Sequence, residues 1–267
     1  MVYSRTTNVI RTQNNLRPYE AYNVPVTRPD PGPDGTVGTS DDPGRTFTYF
    51  EFSPQLAGRR FEEFMPVNDP NADQSYTGTE VAVVKRLSNR WQFMGSYSAT
   101  KKNIPIYGYL ASGSFITGSF DSAHNVGALT PNDEINRSDF TWERNGKVMG
   151  AYLLPADVQL SANFEHRSGD QYARQVRFTG GRTIPNILLN VEPIGTQHSP
   201  DLNLVSFRVE KSFRLLNTQK VAVRVNLYNA LNANTATVID PRSGARFLRP
   251  VNILPPRIAE LSASYTF

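Results

Sequence analysis

Hydrophobic and polar positions alternate with period two in block after block of this chain. In the last block the odd positions read Ala259, Leu261, Ala263, Tyr265 and Phe267, and the even ones Glu260, Ser262, Ser264 and Thr266. Upstream, Val221, Val223, Val225 and Leu227 oppose Lys220, Arg224 and Asn226. Residues 202 to 213 set Val205, Phe207, Val209 and Phe213 against Ser206, Arg208, Glu210 and Ser212, with Lys211 the exception on the apolar side. Val158, Leu160, Ala162 and Phe164 oppose Gln159, Ser161, Asn163 and Glu165, while Trp91, Phe93, Tyr97 and Ala99 oppose Gln92, Ser96, Ser98 and Thr100. Weaker runs lie at 78 to 87 and 146 to 154, and a poorly patterned one at 1 to 11. Such alternation marks strands with one apolar and one wet face. It predicts eight of them, at 1–11, 78–87, 90–101, 146–154, 157–167, 202–214, 219–231 and 257–267.

The connections alternate in length. Short ones fall at Ser88 and Asn89, around Pro155 and Ala156, and from Leu215 to Thr218; long ones cover roughly 12 to 77, 102 to 145, 168 to 201 and 232 to 256. Meandering antiparallel strands therefore have all their tight turns at one end and all their long loops at the other. Outer-membrane barrels show this asymmetry, with tight periplasmic turns and long outer loops.

Composition agrees with such a wall and excludes several other classes. Mean hydropathy is negative, as expected when only alternate strand residues meet lipid. No apolar run approaches the roughly 20 residues of a spanning helix. The chain has no cysteine, which removes disulfides, thiol catalysis and Cys-based metal sites. Its 28 basic and 24 acidic residues are scattered in both signs rather than gathered into a phosphate-tracking patch, so nucleic acid is not an expected partner. The segment MVYSRTTNVIRTQNN has neither an apolar h-region nor a small-residue cleavage site and is not a secretory signal peptide. The expectation is that the chain is the C-terminal piece of a longer precursor.

VRVNLYNALN at 223 to 232, the Pro256-Arg257 pair opening the last strand and the closing SYTF carry a family resemblance. The chain resembles the C-terminal part of the β-barrel of a TonB-dependent outer-membrane receptor, of the Oar-like type that carries a carboxypeptidase-regulatory-like domain. By pattern the resemblance covers most of residues 1–267, and by motif the segment from about Val221 to Phe267. It implies an all-β fold: an antiparallel transmembrane β-barrel segment in the bacterial outer membrane. It also implies lipid as a partner, and the barrel-assembly machinery as reader of the strand ending at Phe267. The family's plug domain, TonB box and export signal are missing from these residues, so TonB enters only through an absent N-terminal region. Uptake of an unknown ligand is the expected function of the whole receptor, and enzymatic activity is not expected. The alternative is an autonomous small barrel or a soluble β-sandwich serving as a binding or structural module, since sandwich strands also alternate.

One loop motif has chemistry of its own. DPGPDGTVGTSDDPG, within 30 to 44, places Asp30, Asp34, Asp41 and Asp42 in one window, with Gly32, Gly35 and Gly38 free to turn carbonyls inward. Ca²⁺ takes six to eight oxygen ligands, which this segment offers together with Thr36 and Thr39. The acidic spacing is not that of an EF-hand, and the competing reading is a Gly/Pro-rich acidic turn.

Other candidates have ordinary readings. His124, His166 and His198 lack metal-ligand spacing, and no GxSxG elbow is present. In RTFTYFEF, Phe47 and Tyr49 share one face and Phe50 and Phe52 the other, giving either a ligand platform or a packed extra hairpin. Trp91, Tyr265 and Phe267 at strand ends suit an aromatic girdle. Val205, Phe207, Val221, Val223, Val225 and Leu261 are expected to face lipid. Gln159, Glu165, Arg208, Glu210, Arg224 and Glu260 are expected to face the lumen.

Overall fold

The computed structural model describes residues 1–105, 129–215 and 219–267. Its main element is one antiparallel sheet of eight strands in sequence order. These are β1 (Val2–Thr6), β2 (Gln74–Ser88), β3 (Trp91–Asn103), β4 (Trp142–Leu154), β5 (Val158–Arg167), β6 (Leu202–Arg214), β7 (Lys220–Tyr228) and β8 (Ile258–Thr266). β1 and β8 each have a single neighbour, so the sheet is open. No helix among the described residues is long and apolar enough to cross a membrane, which says nothing of strands.

The turns follow from backbone chemistry. Asn89 and Arg90 (φ 50° and 69°) and Ala156 and Asp157 (φ 63° and 55°) are all left-handed. Two successive residues of that hand are what a tight hairpin requires to match strand twist. The turn from Leu215 to Thr218 lies partly outside the described residues; beside it, Leu215 N–H donates to the Gln219 carbonyl at 3.0 Å.

Register carries the alternation from strand to strand. Leu261 lies opposite Val225, Val225 opposite Val209, Val209 opposite Leu160, Leu160 opposite Tyr152 and Tyr152 opposite Trp91. Because a one-residue slip would send every side chain to the other face, this unbroken alignment makes one apolar face and one polar face across the sheet. The residues expected to meet lipid and those expected to meet the lumen fall on opposite faces.

Some boundaries differ from the sequence pattern. The expected strand 1–11 is two: β1 ends at Thr6, Asn8 turns left-handed (φ 57°) with its N–H donating to Asp73 Oδ1, and Val9–Asn14 pairs instead with Phe64–Asp69. β2 and β4 begin four residues earlier than the alternation, at 74 rather than 78 and at 142 rather than 146. Their outer ends carry Gln74, Ser75 and Thr77, and Glu143, Arg144 and Asn145, so polar residues stand on both faces and interrupt the alternation. The strand expected at 219–231 stops at Tyr228, because Asn229 is left-handed (φ 48°).

The long connections all leave the sheet at one end, and three of them carry hairpins of their own. Val24–Pro29 pairs with Thr46–Glu51, Gln175–Thr179 with Asn186–Asn190, and Ala236–Ile239 with Pro250–Ile253. The main buried core lies in this layer: Tyr22, Tyr49, Phe52, Val176, Phe178, Ile184, Ile187, Leu189 and Val191 pack together. Of the buried apolar side chains, only Leu202 and Ala222 belong to the eight strands.

Candidate functional site

Three surfaces carry functional chemistry: the two faces of the sheet and the layer of outer connections.

The apolar face is uncovered. Leu261 is 75 % exposed, Val81 60 %, Val225 49 % and Phe207 47 %, and the other described sheets are two-stranded ribbons within the connections. From Trp91 to Ala99 the stripe runs roughly 27 Å at about 3.4 Å per residue, against an apolar band about 25 Å tall in outer-membrane barrels. Trp91, Tyr152, Phe213, Tyr265 and Phe267 ring its short-turn end, the rings of Tyr265 and Phe267 lying 6.0 Å apart. Of the lysines on this face, Lys85 and Lys211 bend to that rim. Lys85 Nζ donates to the Ser88 and Trp91 carbonyls at 3.0 Å and lies 3.8 Å from the Trp91 ring centre. Lys211 Nζ donates to the Ala156 carbonyl. Long cationic side chains do this where their stems lie on apolar surface and their charge needs polar company.

The polar face curls around a hollow of about 650 Å³ that residues from β2 to β7 share, among them Val84, Met94, Met149, Asn163, Ser206 and Asn226. Beside it Glu210 accepts from Arg208 and Arg224, each at 2.8 Å, and Arg224 donates onward to Ser264 Oγ at 2.9 Å. Tyr228 Oη donates to Glu260 at 3.1 Å. Such a wall pairs its charges laterally and leaves polar groups available to whatever fills the hollow.

In the outer layer the four long connections are tied to one another. Arg174, from the β5–β6 connection, is buried and donates to Asp30 through Nη1 (2.9 Å) and Nη2 (2.5 Å). It also reaches the Gly32 carbonyl and Ser243 Oγ at 2.9 Å each, and Glu192 at 3.0 Å through Nε. One guanidinium thereby joins the β1–β2, β5–β6 and β7–β8 connections. Arg45 Nε adds a bond to Asp30 at 2.9 Å. Burial pushes the Asp30 carboxyl up, but the bonds from Arg174 and Arg45 outweigh it and hold the group below the ordinary carboxylate range. Glu192 is lowered in the same way: burial opposes, and Arg174 and Gln197 prevail.

The β3–β4 connection joins through amides. Asn132 accepts from Phe50 N–H at 2.7 Å and donates to the Phe50 carbonyl at 2.8 Å, so its side chain imitates one more strand residue. Asn136 and Asn190 each donate to the other's backbone carbonyl, at 2.9 and 3.0 Å. Tyr19 Oη donates to Glu134 at 3.0 Å; burial first, and then that carboxylate, raise its pKa to about 12.

Of the four aspartates expected to gather a cation, Asp34, Asp41 and Asp42 share one hydrogen-bonded turn, and Asp30 is engaged in ion pairs. Asp30 is buried against Arg174 and Arg45. Asp34 accepts from Thr36 N–H (2.7 Å), Asp41 from Asp34 N–H (2.9 Å) and Thr39 Oγ1 (2.6 Å), and Asp42 from Gly38 N–H (2.6 Å). These are turn-closing bonds. Gly32, at φ +69°, lies so close to Asp41 that a Cβ would meet its carbonyl oxygen at 2.7 Å. Among the described residues no group of three or more His, Asp or Glu is placed to hold a metal ion. His166 pairs with Asn203 at 2.9 Å, His198 lies beside the Ser199 carbonyl, and His124 lies outside the described residues. Tyr49 and Phe52 are buried, with Tyr49 stacked at 6.2 Å on Phe178, so this aromatic run packs as a hairpin within the loop core.

Sequence reasoning did not single out Arg174, Asn132, Asn136 or Asn190, whose partners are distant in the chain. Asn229 had a local signal, lying in the NLYN run. It is buried and left-handed, donates to the Ala233 and Pro255 carbonyls (2.8 and 2.9 Å) and accepts from Ala233 N–H (2.8 Å). Asn232 accepts from Arg257 N–H at 2.9 Å. The two asparagines thus pin the end of β7 to the start of β8.

Protein-family models, curated proteins and solved structures gave no match to this chain.

Proposed function

We propose that the chain forms part of the wall of a bacterial outer-membrane receptor barrel, of the TonB-dependent kind its sequence resembles. One face of the sheet meets lipid, the polar face lines the interior, and the joined connections form the external surface. Substrate uptake is the role that the resemblance brings; the hollow on the polar face belongs to the interior through which a ligand passes. The observation that supports this reading is the inversion of burial. A chain that can pack nine apolar side chains tightly within its connections leaves the apolar face of its largest sheet open from β2 to β8. Exposed apolar patches of more than a few hundred Å² are rare on soluble monomers and mark surfaces that meet lipid or protein. In a β-sandwich a second sheet would cover this face.

Depth-dependent substitution tests the proposal. Val225→Arg, at mid-strand on the apolar face, should cost roughly 2 to 4 kcal/mol in a folding titration in lipid bilayers, while Asn226→Arg on the polar face should be mild. Equal costs at the two positions would remove the membrane assignment.

A further inference from the structure

We infer that the outer rim of the apolar face carries a binding site for a phosphate-bearing lipid headgroup, formed by Lys101 and Arg144 beside Trp142; the inference rests on the membrane reading above. Its starting point is how charge divides between the faces. Every carboxylate of the eight strands, Glu80, Glu143, Glu165, Glu210 and Glu260, lies on the polar face. The charged side chains of the apolar face are all basic: Arg5, Lys85, Lys101, Arg144 and Lys211, with His166 alongside. They stand only at its two rims, where a bilayer places its phosphates, and the band between them is free of charge.

The rims differ in what their cations already hold. At the short-turn rim the ammonium groups of Lys85 and Lys211 donate to turn carbonyls. At the outer rim Arg5 is paired with Asp73 at 3.2 Å. Lys101 and Arg144 are exposed, and neither side chain has a hydrogen bond or ion pair among the described residues. Lys101 lies directly opposite Trp142, and Arg144 lies opposite Ala99, one step further along the same face, so the two cations are diagonal neighbours across the β3–β4 pair. Diagonal pairs on one face are within reach of long side chains. Two unneutralised cations this close repel, and an anion between them removes the repulsion. A guanidinium offers paired donors to phosphate oxygens and an ammonium supplies a point charge. Trp142, 47 % exposed, gives the acyl chains below an aromatic surface at headgroup depth. The partner is therefore an anionic phospholipid or phosphorylated glycolipid of the leaflet next to the long connections.

Both tryptophans of the chain lie on this face, Trp142 at the outer rim and Trp91 at the other, and each reports on its own lipid neighbours. The full chain in phosphatidylcholine vesicles with brominated acyl chains should show quenching of both. With bromine confined to phosphatidylglycerol at a low mole fraction, Trp142 fluorescence, read in Trp91→Phe, should be quenched as though that lipid were enriched about 25-fold over bulk, given about fivefold for each of the two basic side chains. Lys101→Gln with Arg144→Gln should return Trp142 to the bulk level and leave Trp91, read in Trp142→Phe, unchanged. Quenching of both tryptophans by uniformly brominated lipid, with no enrichment at Trp142 or none that the double variant removes, would overturn the headgroup site and keep the membrane reading. Absence of quenching by uniformly brominated lipid would overturn both.

Discussion

Arg174 is the residue whose loss the outer layer should tolerate least. Removing one partner of a buried pair strands the other charge, at a cost of about 3 to 5 kcal/mol, so Arg174→Met should open the connections around Asp30 and Glu192. Limited proteolysis of residues 28–45 and 186–199 would read this as faster cleavage; unchanged cleavage would mean that Asp30 is held by other means. The same carboxylates set a pH window. Both titrate below their ordinary values when folded, so they stabilise the layer above about pH 4 and lose that contribution as pH falls through the lowered values. Protection of these segments should therefore decline on acidification below about pH 4, and Asp30→Asn should blunt the decline. Asp41 tests the turn differently. Its bonds close the 30–44 window, so Asp41→Ala should expose this segment to protease equally with and without millimolar calcium. Protection restored by calcium alone would return the aspartates to a ligand role. Asn229→Gly keeps the left-handed backbone and deletes three side-chain bonds, which isolates their worth at roughly 1 to 3 kcal/mol.

Among elements, the strands that read clearly in the sequence were those whose neighbours on one face are all apolar. The pattern placed β5 and β6 within a residue of their observed limits, because one face of each meets a single medium along nearly its whole length. The pattern failed where that condition ends. The outer ends of β2 and β4 have polar residues on both faces around Tyr76 and Trp142, and β1 is short and runs straight into a ribbon of different register. The ribbons of the connections were largely invisible for a related reason. Asn186–Asn190 and Gln175–Thr179 pack in a small core with burial on both faces in places, which leaves no period to detect. The acidic window was legible as a turn through its glycines, but nothing local could reveal that Asp30 is drawn out of it by an arginine 144 residues away.

At the scale of the whole molecule, the open sheet has two unsatisfied edges, β1 and β8, flanking an uncovered apolar face. Edges of this kind pair with whatever strand they meet. In water without lipid or detergent the chain should aggregate, and sedimentation should show polydisperse material. A monodisperse, heat-resistant monomer would instead support an eight-stranded barrel closed by β1 and β8.

The joined connections also have a mechanical consequence. Arg174, Asn132 and the Asn136–Asn190 pair link connections that are distant in the chain at one rim. At the opposite rim the two fully described turns reach only the next strand: Arg90 accepts from Leu153 N–H, and Ala156 and Asp157 accept from Lys211 and Ser212 of β6. A wall clamped by long-range links along one border and only by bonds between neighbours along the other cannot shear uniformly. Its hairpins can part at the short-turn border by breaking those few neighbour bonds while the spacing at the looped border stays constant, so any widening of the hollow should begin at the short-turn end.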